Sequence, residues 1–170
     1  AALVDFELIK KQRQPEPKDS LDFYKRTTGR IGRTVGQVIG EVTNLSEETK
    51  LYLQDVFEKA SVVSQLVDDI IDSPLDIKDA QSPSVVKAIL SQNQDEHDTM
   101  VKYAAMNPSQ ISHRKFKQLA PVTDRQLKAI FDENVFGLPH KLRQFLNDFY
   151  YALLPSKVSH ADPLNKGWHT

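Results

Sequence analysis

The stretch Gln65-Leu-Val-Asp68-Asp69-Ile-Ile-Asp72 crowds three carboxylates into five residues. On a helix, Asp68 and Asp72 share one face a turn apart, and Gln65 lies a turn earlier on that face. Like charges at this spacing cost a helix about 0.2–0.5 kcal/mol. The stretch also falls at a helix C-terminal end, where the macrodipole disfavours anions further. Such a cluster persists where water solvates it or where a cation neutralises it. Hard oxygen ligands on a rigid helix suit Mg²⁺, which takes one or two carboxylates and fills its shell with water and phosphate oxygens. These residues alone leave both readings open: a solvated acidic helix end, or a magnesium site drawn from Asp68, Asp72 and Asp69.

A second pattern is the series Gly29, Gly32, Gly36 and Gly40, at steps of three and four. Each glycine inside a helix costs about 1 kcal/mol against alanine. A stripe of four therefore points to a neighbouring helix in close approach, or to an elongated ligand lying on bare backbone. Other chemistry is sparse. His97-Asp98 is an isolated dyad, and His113, His140, His160 and His169 lack metal-ligand spacing, so the five histidines read as surface or capping residues. The run His113-Arg-Lys-Phe-Lys117 reads as a solvated basic face. Neither a phosphate-cradling Gly-Lys-Ser/Thr loop nor a dinucleotide fingerprint occurs.

Composition narrows the classes. The 170 residues carry 22 basic and 23 acidic side chains, so no global field draws in nucleic acid or anionic lipid, and no nucleic-acid partner is expected. The absence of cysteine excludes disulfides, thiolate metal centres and thiol nucleophiles, and it fits an intracellular, reducing compartment. No window approaches 18 consecutive apolar residues, so no transmembrane segment is expected. The chain opens Ala1-Ala2 without Met, which suggests that a segment precedes it or lies on another chain.

Helical periodicity organises the rest. A short helix is expected over residues 3–14, ended by Pro15 and Pro17, and a second from Asp19 or Ser20 to about Val42. Ser46 caps a third, with Glu47 and Glu48 in its first turn. Tyr52, Val56, Ala60, Val63, Val67 and Ile70 or Ile71 mark its apolar face, and Pro74 should end it near Asp72 or Ser73. Further helices are expected over 82–90, 95–105, 109–118, 123–134 and 139–154, and an extended tail over 155–170. No stretch alternates long enough for a strand. The fold class is all-α, a helical bundle over 1–154 divided into 1–72 and 73–154.

Taken in order, Thr28-Gly29, the glycine-bearing helix, the acid-capped helix at Ser46, Gln65 and Asp68-Asp69-Ile-Ile-Asp72 resemble the C-terminal half of trans-isoprenyl diphosphate synthases. Those are all-α class I prenyltransferases with a Lys-Thr-Gly, a glycine-containing helix and a second aspartate-rich motif after Phe-Gln. Asp68 lies 39 residues beyond Gly29, close to the family's separation, and the resemblance covers residues 1–72. It implies half of an isoprenoid synthase fold. Asp68 and Asp72 would bind Mg²⁺ that clamps an isoprenoid diphosphate, Asp69 and Gln65 would support them, and Thr28 and Gly29 would lie at the diphosphate. The glycine face would line a channel for the isoprenoid tail. Thr27 stands where the family has Lys, and Lys78 or Lys87 would have to replace its later lysines. The family's first aspartate-rich motif would come from another protein chain or a missing N-terminal half. The chain would then support Mg-dependent prenyl transfer when completed and be inactive on its own, with no catalytic residue assigned within it. The alternative is a catalytically inactive structural or regulatory subunit of a larger assembly, and beyond that an ordinary helical interaction domain.

Overall fold

Pro17 opens the first helix of the described residues. At the first helical position its missing N–H costs nothing and its fixed φ suits the turn. The computed structural model describes residues 16–79 and 82–152, so the expected helix over 3–14 and the tail over 155–170 lie outside the described residues. Helix α1 spans Pro17–Tyr24, a π-helical turn follows at Lys25–Gly29, and α2 spans Arg30–Val42. Backbone angles stay α-helical through both junctions, so these elements form one continuous rod with a widened turn in it. The remaining helices are α3 (Glu47–Asp76), α4 (Val85–Leu90), α5 (Gln94–Met106), α6 (His113–Leu119), α7 (Pro121–Val135) and α8 (His140–Ala152). The all-α expectation holds: every regular element among the described residues is helical. Among them, no helix is long and apolar enough to cross a membrane.

Glycine sets the α2–α3 hairpin. A Cβ on Gly32 would collide with Ser61 Oγ and the Phe57 carbonyl oxygen, and one on Gly36 would stand 2.7 Å from the Leu53 carbonyl oxygen. Gly40 faces Lys50, so the contacts run down α3 as they run up α2, and the helices are antiparallel. The glycine face is therefore packed against backbone, which corrects the expectation that it lines a channel.

Helix α3 is longer than Pro74 predicts. Proline at 74 cannot donate to the Ile70 carbonyl, but the Ser73 hydroxyl does so at 2.9 Å, and the helix runs on to Asp76. The second half of α3 is the spine of the core. Val63, Leu66, Val67 and Ile70 pack with Val85, Val86 and Ile89 of α4, Met100 of α5, Phe116 of α6, Leu127 and Phe131 of α7 and Tyr150 of α8. Tyr52, expected on the same spine, stands nearly half exposed because the core begins a turn or more beyond it.

The later helices shift at their ends. Helix α6 begins at His113 rather than at 109, because Ser112 caps it and the preceding Ile111 N–H bonds to the Ile71 carbonyl. Its first residue corrects the surface reading of the histidines. His113 is buried, lies 2.5 Å from Asp124 Oδ1 and meets the Tyr150 ring edge-on at 5.0 Å. The basic run that it opens is thus half core, since Phe116 is fully buried.

Candidate functional site

The face of α3 that packs on the glycine helix does not end with that contact. Gln65, Asp68, Asp72 and Asp76 continue it at steps of three and four, beyond the point where α2 gives way to the π-helical turn. They line a cleft of about 160 Å³ with Phe23, Tyr24, Thr28, Asp69, Ser82 and Pro83. Of the residues expected at a site, Thr28, Gln65, Asp68, Asp69 and Asp72 are brought together there. Gly29 is not. It is buried under Val62 and Glu58, and a Cβ would stand 3.1 Å from Val62 Cγ2, so its smallness serves packing. The Thr28 hydroxyl donates to Gln65 Oε1 at 3.4 Å, joining the π-helical turn to α3 across the cleft.

The carboxylates divide by burial. Asp69 is 4% exposed and forms the floor. Its Oδ2 accepts from the Tyr24 hydroxyl at 2.5 Å and from the Val85 N–H at 2.8 Å, and its Oδ1 accepts from Gln65 Nε2 at 3.3 Å. Burial pushes the Asp69 carboxyl up to about 7, with nearby Asp76 adding to the rise against the hydrogen bonds from Tyr24, Gln65 and Ser84. Burial likewise raises the Tyr24 hydroxyl well above its ordinary value, and the charge of Asp69 adds to it. Asp68 is exposed at the rim, and its carboxyl is raised by desolvation and then by Asp72. Asp72 accepts from Gln110 Nε2 at 2.9 Å. Asp76 is half-buried and raised by desolvation, with Ser82 and Ser84 donating to it and Lys87 opposing the shift.

These positions test the fit of magnesium. Among the described residues, no group of three or more His, Asp or Glu side chains is arranged to hold a metal ion. Asp69 is poorly placed as a ligand, being 4% exposed and already taking three hydrogen bonds from the protein. Asp68 stands exposed at the rim, and Asp72 takes one hydrogen bond, from Gln110. Asp76 extends the same acidic face.

No lysine or arginine lines the cleft among the described residues. Lys25 opens instead on a separate groove of about 330 Å³ with Asp55, Glu58, Lys59, Val62, Glu133 and Asn134. Lys87 is half-buried, its ammonium held by the Asp79 carbonyl oxygen, and desolvation lowers its pKa. Its charge still reaches the cleft lining, where it opposes the rise of the Asp76 carboxyl.

Sequence reasoning missed Tyr24, Asp76 and Ser82. Asp76 had a legible signal, since 68, 72 and 76 repeat at four, but the stop assigned to Pro74 hid it. Tyr24 had none, because it reaches the site only through the fold. No family model, curated protein or solved structure matches the chain.

Proposed function

We propose that this chain is an isoprenoid-diphosphate synthase-like protein whose acidic cleft takes a magnesium–diphosphate unit. It supports Mg-dependent prenyl transfer when another chain or an N-terminal half supplies the first acidic motif. The observation that carries this reading is convergence: Thr28 and Gln65, 37 residues apart, meet across a cleft whose outer wall is Asp68, Asp72 and Asp76. Hard oxygens on one rigid helix face, with serine hydroxyls opposite, suit a hydrated divalent ion carrying phosphate oxygens.

When bound, magnesium supplies the charge that neutralises the diphosphate leaving group. Asp68 and Asp72 would hold it. Thr28 orients Gln65, which in turn donates to Asp69 and fixes the floor beneath the two ligands. Phe23 and Pro83 give the cleft an apolar edge.

A second reading, a non-catalytic subunit of a larger assembly, is favoured by the lack of lysine and arginine in the cleft lining among the described residues and by the exposed apolar side of α2. Titration calorimetry separates the two. The first expects heat for inorganic diphosphate and for an isoprenoid diphosphate only when Mg²⁺ is present, and its loss in Asp68→Ala and Asp72→Ala. No heat at millimolar ligand with Mg²⁺, or heat unchanged in both variants, overturns it.

A further inference from the structure

Helix α2 meets α3 with its glycines and turns its apolar side chains elsewhere. Ile31, Val35, Val38 and Val42 recur at steps of four, three and four on one stripe, and are 67%, 42%, 55% and 81% exposed. The principal contacts of α2 are with α3 and the π-helical turn, so among the described residues this stripe is unpartnered. Together with Ile39, also exposed, it forms an apolar patch of roughly 500 Å², at the upper end of what a soluble monomer presents. That is below the roughly 800 Å² per partner of a standard interface, so the pairing it supports is a weak one.

Charge selects the occupant. The exposed basic residues Arg26 and Arg30 lie toward the base of the rod, and the exposed acids Glu41, Glu47 and Glu48, the first two sharing Lys50, lie at or beside the hairpin tip. A copy of the same helix laid antiparallel sets each basic base against an acidic tip, whereas a parallel copy sets like against like. The stripe's spacing is symmetric about the point between Val35 and Val38, so a two-fold axis there stacks Ile31 on Val42 and Val35 on Val38 of the second copy.

We infer that the apolar side of α2 is a self-association surface on which a second copy of this chain packs antiparallel, so that two α2–α3 hairpins form a four-helix bundle. The acidic cleft plays no part in this pairing, and the inference does not rest on the function proposed for it.

Sedimentation equilibrium of the full chain at about 10–100 µM, a range suited to a micromolar Kd, tests it. The expected mass is twice 19.3 kDa, and Val38→Glu returns it to that of one chain with the helical circular dichroism unchanged, because Val38 lies outside the core. Orientation is read separately, since the chain has no cysteine of its own. A mixture of Ile31→Cys and Val42→Cys should oxidise to a linked pair, while each variant alone stays unlinked, because like positions lie about 16 Å apart along an antiparallel pair. A single-chain mass across the whole range, a dimer indifferent to Val38→Glu, or self-linking of either single variant overturns the inference. So does a monomer that pairs through this stripe only with a different protein.

Discussion

The Tyr24 hydroxyl donates to Asp69 Oδ2 at 2.5 Å, across 45 residues of chain and with both groups buried. The Val85 N–H reaches the same oxygen, so one carboxyl ties α1, α3 and α4 together beneath the cleft. Its neighbour Asp68 stands at the rim, because adjacent helical positions point about 100° apart. The acidic motif is thus two devices in one turn: a structural pin facing inward and a ligand-accessible edge facing outward. Separate measurements should see each.

The pin should make stability pH-dependent near neutrality. Burial holds the Asp69 proton up to about pH 7 in the fold, while the unfolded carboxyl releases it near 3.8. Between these values the folded state binds more protons, so this contribution is full below 3.8 and is lost as pH rises through 7. Thermal melts at constant ionic strength should therefore give a higher Tm at pH 5 than at pH 8. Asp69→Asn should flatten most of that slope, leaving a residue of the same sign from Asp68 and Asp76, which desolvation also raises. A Tm that climbs from pH 5 to pH 8 would contradict the assignment.

Glycine-to-alanine changes on a helix ordinarily stabilise by about 1 kcal/mol. In the α2–α3 hairpin the sign should reverse. At Gly32 and Gly36 the new methyl meets fixed backbone of α3, and separating the helices sacrifices packing along their length. Gly32→Ala and Gly36→Ala should each lose about 2 kcal/mol or more in urea unfolding. Gly29→Ala, which presses only on the Val62 and Glu58 side chains and the Tyr24 carbonyl at 3.1–3.4 Å, should lose less. Equal or favourable values at all three positions would mean that the hairpin opens at no cost.

What the sequence made legible follows from how local each determinant is. Glu47, Glu48 and the cap at Ser46 announce the start of α3, because a helix N-terminus is specified within four residues. The glycine stripe announces close packing but not its partner, which depends on how α2 and α3 meet. Thr28, Gln65, Asp68 and Asp72 were legible as a set through the order of motifs along the chain. Tyr24 was not, since a tyrosine near a helix start looks like any other until α3 brings Asp69 to it. His113 was misread for a related reason: its environment is made by Asp124 and Tyr150, both distant in sequence.

Glu96 makes a third prediction, where a buried acid caps a helix other than its own. Its carboxylate accepts from the Val122 N–H at 2.6 Å and from the Thr123 N–H and hydroxyl at 2.9 and 2.7 Å, closing the N-terminus of α7 from α5. Loss of an anion there strands two backbone donors beside a positive helix end. Glu96→Ala should cost about 2–3 kcal/mol in chemical denaturation. Glu96→Gln, which keeps one acceptor oxygen, should cost roughly half of that. A neutral Glu96→Ala would show that α7 needs no cap from α5.

The last prediction concerns the two residues that carry α3 past its proline. Ile70 has lost its backbone donor to Pro74, and the Ser73 hydroxyl replaces it. Ser73→Ala should therefore leave a buried carbonyl unpaired and cost about 1 kcal/mol or slightly more. In a Pro74→Ala background the amide at 74 can bond to Ile70, so the same serine change should cost far less. The double-mutant cycle should show a coupling near 1 kcal/mol. The consequence reaches the cleft, because the turn after Pro74 is what places Asp76 beside Asp72. If Asp76 contributes to the acidic edge, Ser73→Ala should weaken Mg²⁺ binding by fraying that turn, and Pro74→Ala should restore it in the double variant. Additive stability effects and an unchanged magnesium titration would together refute the serine's role as the proline's substitute donor.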